Sequence, residues 1–231
     1  MKQLEHIPQH IVLFPDGNRR WAKLRSLPSL EGHLAGEKKF HEFLIWCKNR
    51  EVKVGTVFGF STENWKRTKE EIDYLMKLLN KYLKEGKDDF KKEEVKVKII
   101  GERERVPQFL QKTIEEIEEE TKNNKNFHLN LAVSYGGRWD IINAVKKIIE
   151  EKIPAEKIDE MLFEDYLSTA GLPAPDFIIR AGGEMRLSNF VLWQAAYSEL
   201  YFSPKLWPDF SEQDLDQALE EFDRRQRRFG K

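Results

Sequence analysis

The sequence predicts one α/β domain built on a central, mostly parallel β-sheet flanked by helices. Strand-like and helix-like segments alternate along the 231 residues, an order typical of a parallel sheet whose crossover helices cover both faces. No Pro-, Gly- or Ser-rich linker divides the chain, so we expect a single domain over residues 1–231. Four of the strand-like runs lead directly into polar, glycine-containing segments, and in an open parallel sheet such strand ends form the ligand site.

Six strands are predicted from short runs rich in β-branched and aromatic residues. They are Ile11–Phe14, Val54–Phe60, Val95–Ile100, Phe127–Val133, Asp176–Ile179 and Leu200–Phe202. The first, second, fourth and fifth are the strands that run into polar segments. We therefore expect the ends of these four strands to meet at one edge of the sheet.

Seven helices are predicted from apolar residues that recur three and four positions apart. They are Gly36–Arg50, Lys69–Leu83, Pro107–Thr121, Trp139–Glu151, Phe163–Thr169, Asn189–Tyr197 and Glu212–Arg228. Pro107 suits the first turn of its helix, and the Gly-Leu-Pro that begins at Gly171 is a typical helix stop. The helix over Asn189–Tyr197 is expected to be apolar and largely buried.

The composition excludes several classes of protein. Charged residues make up 34% of the chain, yet the formal net charge is −1, so the basic excess typical of nucleic-acid-binding proteins is missing. The single cysteine, Cys47, lies in an apolar helical stretch and is expected in the core of a cytoplasmic protein. The sequence shows no signal peptide and no run of about 20 apolar residues that would span a membrane. We expect a soluble cytoplasmic protein that can still visit a membrane surface.

Common nucleotide and zinc motifs are missing from the sequence. It contains no G-x-G-x-x-G after a strand and no G-x-x-x-x-G-K-[ST], and no pair of His or Cys residues has zinc spacing. These absences disfavour a dinucleotide site, a P-loop and a structural zinc site.

The segment after the first strand suits an anion held with a divalent metal. Asp16 is a hard oxygen ligand of the kind that Mg²⁺ takes together with substrate phosphate oxygens. Gly17 lets backbone N–H groups approach an anion closely, and Asn18 can donate to a phosphate oxygen. Arg19 and Arg20 are adjacent, so at most one of them is expected to face the site. An ordinary Asp-Gly turn before a helix remains the alternative.

The segment after the second strand supplies four more polar candidates. Ser61, Glu63, Asn64 and Arg67 follow the strand within a few residues. A Ser or Thr that caps the next helix is the alternative interpretation.

The segment after the fifth strand carries two arginines around a Gly-Gly pair. Arg180 and Arg186 present guanidinium forks, which bind phosphate oxygens bidentately, and two forks suit a diphosphate. Further on, Glu199 is a carboxylate within an apolar stretch. Because an unpaired buried charge is costly, it is expected to be paired, to bind a metal or to lie at an edge.

Apolar residues between the polar segments fit either a packed core or the wall of a channel. Core packing is the simpler interpretation, but a hydrophobic tunnel below a polar rim would accept a diphosphate with a long hydrocarbon tail. The residues in question are Val54, Val57, Phe58, Phe60, Leu78, Leu83, Leu131 and Val133.

Taken together, these motifs resemble those of the cis-prenyltransferases, and most closely those of the bacterial undecaprenyl diphosphate synthases (isoprenyl transferases). The resemblance runs from His10 to Gly230, in the family's order and spacing. It rests on D-G-N-x-R-W, F-S-x-E-N-W-x-R, Y-G-G-R, R-x-G-G-E-x-R-x-S-N-F, W-P-D-F and R-R-F-G.

The resemblance implies a homodimeric, Mg²⁺-dependent enzyme that condenses isopentenyl diphosphate repeatedly onto an allylic diphosphate, usually farnesyl diphosphate, with a cis double bond at each step. Its product would be a polyprenyl lipid carrier such as undecaprenyl diphosphate, whose release would involve transient contact with a membrane surface. No nucleic acid is expected among its partners.

The resemblance also implies a role for each motif residue. Asp16 and Asn64 would be catalytic, Asn64 by proton removal, and Asp16 and Glu199 would bind the metal. Allylic substrate would contact Gly17, Asn18, Arg19, Arg20, Trp21 and His33. The loop over the site would supply Ser61, Thr62, Glu63, Trp65 and Arg67. Isopentenyl diphosphate would contact Arg180, Arg186 and Ser188, and the C-terminal Arg228 and Gly230 would reach the partner subunit's site.

Two other hypotheses remain open at this point. One is a non-catalytic relative that binds polyprenyl lipid or supports a partner subunit, although such subunits tend to lack the metal-binding Asp that this chain retains. The other is a generic α/β phosphoesterase, for which the sequence offers no nucleophile or two-metal cluster. The chain departs from the family at Ser29, where Arg is usual, so its allylic site is expected to differ from those of its relatives.

Overall fold

The computed structural model describes residues 4–225, which contain a six-stranded sheet. Its strands are β1 (His10–Phe14), β2 (Val54–Ser61), β3 (Val95–Ile100), β4 (Phe127–Tyr135), β5 (Phe177–Arg180) and β6 (Glu199–Phe202). They lie in the order β3-β4-β2-β1-β5-β6. Every neighbouring pair is parallel, which confirms the predicted α/β class and makes this sheet fully parallel.

Helices cover both faces of the sheet. They are α1 (Asn18–Leu24), α2 (Ser29–Asn49), α3 (Lys69–Glu85), α4 (Lys87–Lys92), α5 (Gln108–Thr121), α6 (Gly137–Glu150), α7 (Glu160–Tyr166) and α8 (Glu212–Arg224). One apolar cluster joins alternate strand residues such as Leu13 and Val57 to α2, α3, α5 and α8. The opposite face, with Val12 and Phe14, packs around Phe190. Within residues 4–225, no helix is both long enough and apolar enough to cross a bilayer.

Most predicted elements are present with shifted ends. The strand at Val95–Ile100 has the predicted bounds, and β2 and β4 run one and two residues further, to Ser61 and Tyr135. The α7 helix begins at Glu160 rather than Phe163, because the Asp159 carboxylate caps it by accepting a hydrogen bond from the Leu162 N–H at 2.8 Å. Cys47 is fully buried, as expected.

The helices differ from the predictions in three respects. The α1 and α4 helices were not predicted, and α2 begins at Ser29 instead of Gly36. The predicted helix over Asn189–Tyr197 is mostly irregular, with a short 3₁₀ helix over Gln194–Tyr197. Asn189 and Val191 have φ values of 65° and 40°, and left-handed residues interrupt a right-handed helix.

Two glycines let α1 pack closely on α2. A Cβ added at Gly32 would lie 2.0 Å from the Asn18 carbonyl oxygen, and one added at Gly36 would lie 2.4 Å from the Asn18 side-chain oxygen. The side chain at either position would therefore push α1 away. This packing fixes Asn18, and with it the segment that follows β1, against α2.

The strand order brings the four expected strand ends together. The central four strands are β4, β2, β1 and β5, the same four that run into polar segments. The register pairs Phe14 with Arg180 and Ser61 with Tyr135. The residues that follow these strands therefore share the carboxyl edge of the sheet.

Candidate active site

A cavity of about 670 Å³ opens at the carboxyl edge of the sheet. Most of the polar residues predicted for the site line it, and apolar side chains of β2, α2 and α3 form its inner wall. The predicted polar residues at the cavity are Asp16, Gly17, Asn18, Arg19, Arg20, His33, Ser61, Glu63, Asn64, Arg67, Arg180 and Ser188. The apolar lining includes Phe40, Val57, Phe58, Phe60, Leu75, Met76, Leu78, Leu79 and Leu131.

At the centre of the polar rim, Arg180 holds Asp16. The Arg180 side chain is buried, and its Nη2 donates to Asp16 Oδ2 at 2.8 Å. Its Nη1 donates to Ser188 Oγ at 2.8 Å and to the Arg186 carbonyl oxygen. The Nε–H of Arg180 has no hydrogen-bond partner among the described residues, although it is buried. A buried charged donor without a partner is costly, so this site suits an anion that would accept from it.

The backbone of Asp16 is fixed from a second direction. The Trp207 N–H donates to the Asp16 carbonyl oxygen at 2.9 Å. The Trp207 ring is buried, and its Nε1 donates to the Gly36 carbonyl oxygen at 2.8 Å. The first residue of the W-P-D-F motif thus ties the Asp16 segment to α2.

A chain of exposed ion pairs continues from Asp16. Arg20 lies 3.5 Å from Asp16 and 3.3 Å from Glu184, and Glu184 lies 2.5 Å from Arg186. Arg186 is exposed and does not line the cavity, whereas its backbone carbonyl helps to orient Arg180. Exposed, ion-paired arginines therefore lie next to one buried guanidinium.

The segment after β2 forms a 3₁₀ helix over Thr62–Lys66. Its first turn is closed by Asn64, whose side-chain oxygen accepts from the Ser61 N–H at 3.1 Å. A helix cap was the alternative interpretation of this segment. The cap is present, and Ser61, Glu63 and Asn64 also line the cavity. Glu63 accepts a hydrogen bond from the Asn189 side chain at 2.9 Å. Burial alone would raise the pKa of Glu63, but this and neighbouring hydrogen bonds lower it below its usual range.

A second cluster of titratable side chains lies between α2 and α3. His33 Nε2 is 3.5 Å from a carboxylate oxygen of Glu71, which also pairs with Arg67 at 3.1 Å. Burial and the nearby Arg67 charge lower the pKa of His33, and burial likewise lowers the pKa of Arg67. The imidazole and the guanidinium together form the side of the rim that faces α3.

Besides Arg186, three of the described residues that were predicted to bind substrate do not line the cavity. Trp21 donates to Asp209 at 2.7 Å, and Trp65 donates to Ser134 Oγ at 2.9 Å. Thr62 also lies outside the cavity lining. Both tryptophans therefore support the neighbouring segments rather than contact the cavity. Arg228 and Gly230 lie outside the described residues.

Glu199 is separated from Asp16 within one chain. It is the first residue of β6, where the register pairs it with Phe177 at the amino end of β5. Asp16 lies beyond the carboxyl end of β1, so at about 3.3 Å per residue the two are more than 10 Å apart. Glu199 is paired with Arg225 at 3.0 Å. The prediction that Asp16 and Glu199 bind one metal is wrong for a site made by a single subunit.

Glu37 and Asn189 are among the polar lining residues that were not predicted from the sequence. Glu37 lies one helical turn after His33 on α2, and Asn189 follows Ser188. Glu37 lies four residues after His33, a spacing that places two side chains on the same face of a helix, so the sequence did indicate that Glu37 lies near the site. The role of Asn189 depends on its left-handed backbone, which the apolar pattern of its segment did not reveal.

Comparison with known proteins identifies the family. The family described as "Putative undecaprenyl diphosphate synthase" matches residues 14–230. The chain belongs to this family of cis-prenyltransferases. An isoprenyl transferase of Aquifex pyrophilus is 48% identical over 97% of this chain and 96% of that protein.

Relatives within the cis-prenyltransferase family differ in their named allylic substrate. A tritrans,polycis-undecaprenyl-diphosphate synthase (geranylgeranyl-diphosphate specific) of Thermoplasma volcanium is 46% identical, over 97% of this chain and 89% of that protein. A ditrans,polycis-undecaprenyl-diphosphate synthase ((2E,6E)-farnesyl-diphosphate specific) of Legionella pneumophila is 43% identical, over 97% of this chain and 96% of that protein. The family assignment therefore leaves the primer open.

A solved structure of a plant family member has the same fold. The crystal structure of lavandulyl diphosphate synthase from Lavandula x intermedia, in complex with dimethylallyl diphosphate, superposes with a TM-score of 0.93. The two chains are 38% identical, and the match covers 97% of this chain and 99% of the other.

Proposed function

We propose that this protein is an active cis-prenyltransferase that adds isopentenyl diphosphate repeatedly to an allylic diphosphate. The observation that carries the proposal is the buried Arg180 guanidinium, which holds Asp16 at a cavity with a polar rim and an apolar wall. A diphosphate fits the rim and a hydrocarbon tail fits the wall. The relatives named above are all synthases or transferases, which supports an enzyme rather than a lipid-binding subunit.

Each end of the rim suits one diphosphate. Arg180 with Ser188 and the exposed Arg186 would hold the diphosphate of isopentenyl diphosphate, since a guanidinium binds two phosphate oxygens at once. Gly17 and Asn18, with Arg19 or Arg20, would hold the allylic diphosphate next to Asp16. Farnesyl diphosphate is the proposed primer.

The donor set at the rim suits Mg²⁺ bound through its substrate. Within residues 4–225, no group of three or more His, Cys, Asp or Glu side chains could hold a metal by itself. Mg²⁺ commonly uses one or two carboxylates with substrate phosphate oxygens and water, and Asp16 is the carboxylate at the cavity. Bound there, Mg²⁺ would neutralise charge on the leaving diphosphate.

The proposed reaction breaks the C–O bond between C1 of the allylic group and its diphosphate. The diphosphate leaves with the electron pair, while Arg20 and the neighbouring donors stabilise the developing negative charge. The double bond of isopentenyl diphosphate then forms a C–C bond to C1. Loss of a proton from C2 of the former isopentenyl unit creates the new cis double bond, and Asn64 is the residue proposed to assist that step.

The apolar wall would serve the growing tail. Side chains of α3 and β2, among them Leu79 and Phe60, line the cavity and would form the start of a hydrophobic tunnel. Exclusion of water from this space protects a carbocation from being quenched. The released product would be a polyprenyl diphosphate such as undecaprenyl diphosphate.

A homodimer is the proposed assembly. Ile142, Val145 and Ile149 lie on one face of α6 and are 40–68% exposed, and an exposed apolar stripe is typical of a protein interface. The C-terminal Arg228 and Gly230 would reach the partner subunit's site. The proposed enzyme is cytoplasmic and contacts the membrane surface during product release.

Incorporation of labelled isopentenyl diphosphate tests the proposed function. We expect the purified protein with Mg²⁺ to convert farnesyl diphosphate into polyprenyl products, and chelation of the metal to stop the reaction. Asp16→Ala should abolish turnover while leaving the fold intact, at some cost in melting temperature because the buried Arg180 loses a partner, whereas Asp73→Ala, which removes an exposed carboxylate of α3, should be normal. No incorporation with any allylic primer would refute the proposed activity.

A further inference from the structure

The end of α1 and the turn after it project from the protein surface. Residues 23–29, which we call the α1 tip, form an unbroken run of seven exposed residues. Two of them are leucines: Leu24 is 75% exposed and Leu27 is 42% exposed. Single exposed leucines are common on protein surfaces, so the exposure alone does not assign a partner to the tip.

The backbone of the tip forms a defined turn. Ser26 has a φ of 55°, and its N–H donates to the Lys23 carbonyl oxygen at 3.1 Å. The Leu27 N–H donates to the Ala22 carbonyl oxygen at 2.9 Å. This pair of hydrogen bonds around a left-handed residue is the Schellman ending of a helix, and it fixes the direction in which the chain leaves α1.

A side chain anchors the same turn to the body of the protein. The Arg25 guanidinium donates to both carboxylate oxygens of Asp209, at 3.0 Å and 3.1 Å. It also lies over the Trp21 ring, 4.3 Å from the ring centroid. The two leucines are therefore presented to solvent by an anchored turn.

The charge around the leucines is positive. Residues 17–30 contain four cations, Arg19, Arg20, Lys23 and Arg25, and no carboxylate, although the whole chain has a net charge of −1. Lys23 adjoins Leu24 and forms no ion pair with any residue that the structure describes. Anionic lipids attract basic segments of this kind, and apolar side chains among the cations enter the boundary between headgroups and acyl chains.

A second projecting segment has similar apolar exposure but the opposite charge. Residues 154–161 are all exposed. Met161 is 75% exposed, as Leu24 is, and Ile158 is 43% exposed. The segment carries three carboxylates and one lysine, so an anionic surface would repel it. It therefore provides a matched control for the tip.

The tip lies beside the mouth of the cavity. Asn18, Arg19 and Arg20, on the same helix, line the cavity. Arg20 and Leu24 are separated by about 6 Å along the axis of α1, at about 1.5 Å per residue. A flat surface that accepts the tip would therefore also lie close to the polar rim.

We propose that the α1 tip docks this protein on the surface of a bilayer that contains anionic lipids, with Leu24 and Leu27 inserted among the headgroups and Lys23 against their phosphates. The use of this contact rests on the proposed prenyltransferase function. A cavity mouth held at the bilayer surface delivers a polyprenyl diphosphate where its diphosphate stays in the headgroup layer and its tail leaves water.

Flotation with lipid vesicles tests the docking. We expect the wild type to bind vesicles of phosphatidylglycerol and phosphatidylcholine, and to bind vesicles of phosphatidylcholine alone much more weakly. Lys23→Glu should lower the affinity for the anionic vesicles by at least about fivefold, and Leu24→Ser by at least about threefold. Met161→Ser should bind as the wild type does, and all three variants should keep the wild-type melting temperature.

Three results of this assay would overturn the proposal. They are a wild type that does not bind the anionic vesicles, unchanged affinity in both tip variants, and equal losses in Leu24→Ser and Met161→Ser.

A fluorescent label locates the contact. Cys47 is the only cysteine of the chain and is fully buried, and burial raises the pKa of its thiol. A thiol-reactive, environment-sensitive fluorophore should therefore label Leu24→Cys selectively. Its emission should shift to the blue on addition of anionic vesicles, and the same label on Met161→Cys should not respond. A vesicle-bound protein whose label at position 24 stays unshifted would show that another surface makes the contact.

Two measurements without vesicles separate the remaining explanations. If Leu24→Ser changes the oligomeric state in sedimentation, the tip is a contact between subunits and the docking is refuted. In detergent solution, Leu24→Ser should incorporate isopentenyl diphosphate at the wild-type rate. An active wild type that does not bind vesicles refutes only the docking, whereas a wild type that binds through the tip but forms no product refutes the proposed function.

Discussion

Arg180→Lys is the most informative single change at the rim. It keeps a positive charge but replaces a planar fork by one ammonium group. The Arg180 guanidinium donates to Asp16 and Ser188 at 2.8 Å each and has a free Nε–H. Lysine can retain the contact to Asp16 or the contact to Ser188, but it cannot keep both and also offer a second donor to a bound diphosphate.

The size of the effect follows from the hydrogen bonds lost. Hydrogen bonds to charged groups contribute about 1.5–3 kcal/mol each. Loss of the contact to the substrate removes about 1.5–3 kcal/mol of transition-state binding, which corresponds to about ten- to a hundredfold in kcat/KM at about 1.4 kcal/mol per factor of ten. Loss of the contact inside the protein lowers the stability instead. We expect the KM for isopentenyl diphosphate to rise more than the KM for the allylic primer.

The assay is steady-state incorporation of labelled isopentenyl diphosphate, with each substrate varied in turn. Arg50→Lys is the matched control, because Arg50 is also mostly buried and donates to two carboxylates and a carbonyl, but lies outside the cavity. It should lose stability without a comparable loss of activity. A kcat/KM for Arg180→Lys within threefold of the wild type would refute the role assigned to Arg180.

Three further outcomes are expected. Burial lowers the pKa of His10 from 6.5 to about 4, so between these pH values the unfolded chain binds more protons than the folded chain. The free energy of unfolding, measured with urea, should therefore fall by about 3 kcal/mol from pH 7 to pH 4. His10→Gln should reduce this loss. Gly32→Ala should cost about 1–3 kcal/mol in the same assay, because its new Cβ meets the Asn18 backbone oxygen at 2.0 Å. Gly36→Ala should cost less, since its clash is with the Asn18 side chain; equal losses would contradict this account. Asn189→Ala should raise the pKa of Glu63, measured by NMR titration, because it removes a hydrogen bond to the carboxylate.

The parallel sheet could be predicted because its evidence is local. Each strand is a short apolar run, and the alternation with amphipathic helices determines the parallel arrangement. The polar groups after β1, β2 and β5 could be assigned to one site for the same reason, and Asp16 and Arg180 do meet there.

The errors arose where long-range packing decides the structure. The helix expected at Asn189–Tyr197 has the apolar composition of a helix, but the segment turns through left-handed residues to bring Ser188 to Arg180. Glu199 was grouped with Asp16 by motif, whereas the strand register separates them. The apolar pattern of α2 did not reveal that Gly36 lies against Asn18, because that contact depends on two helices packing together.

The adjacency of β1 and β5 has a consequence for how this chain folds. The contact between Asp16 and Arg180 joins residues 164 positions apart, and the sheet inserts β1 between β2 and β5. The β1 strand therefore emerges early from the ribosome but gains its second neighbour only after most of the chain has been made. Contacts between such distant segments form late and slowly. A nascent chain that ends before β5 lacks Arg180, so a ligand that needs the complete rim proposed above would stabilise only the fully assembled sheet.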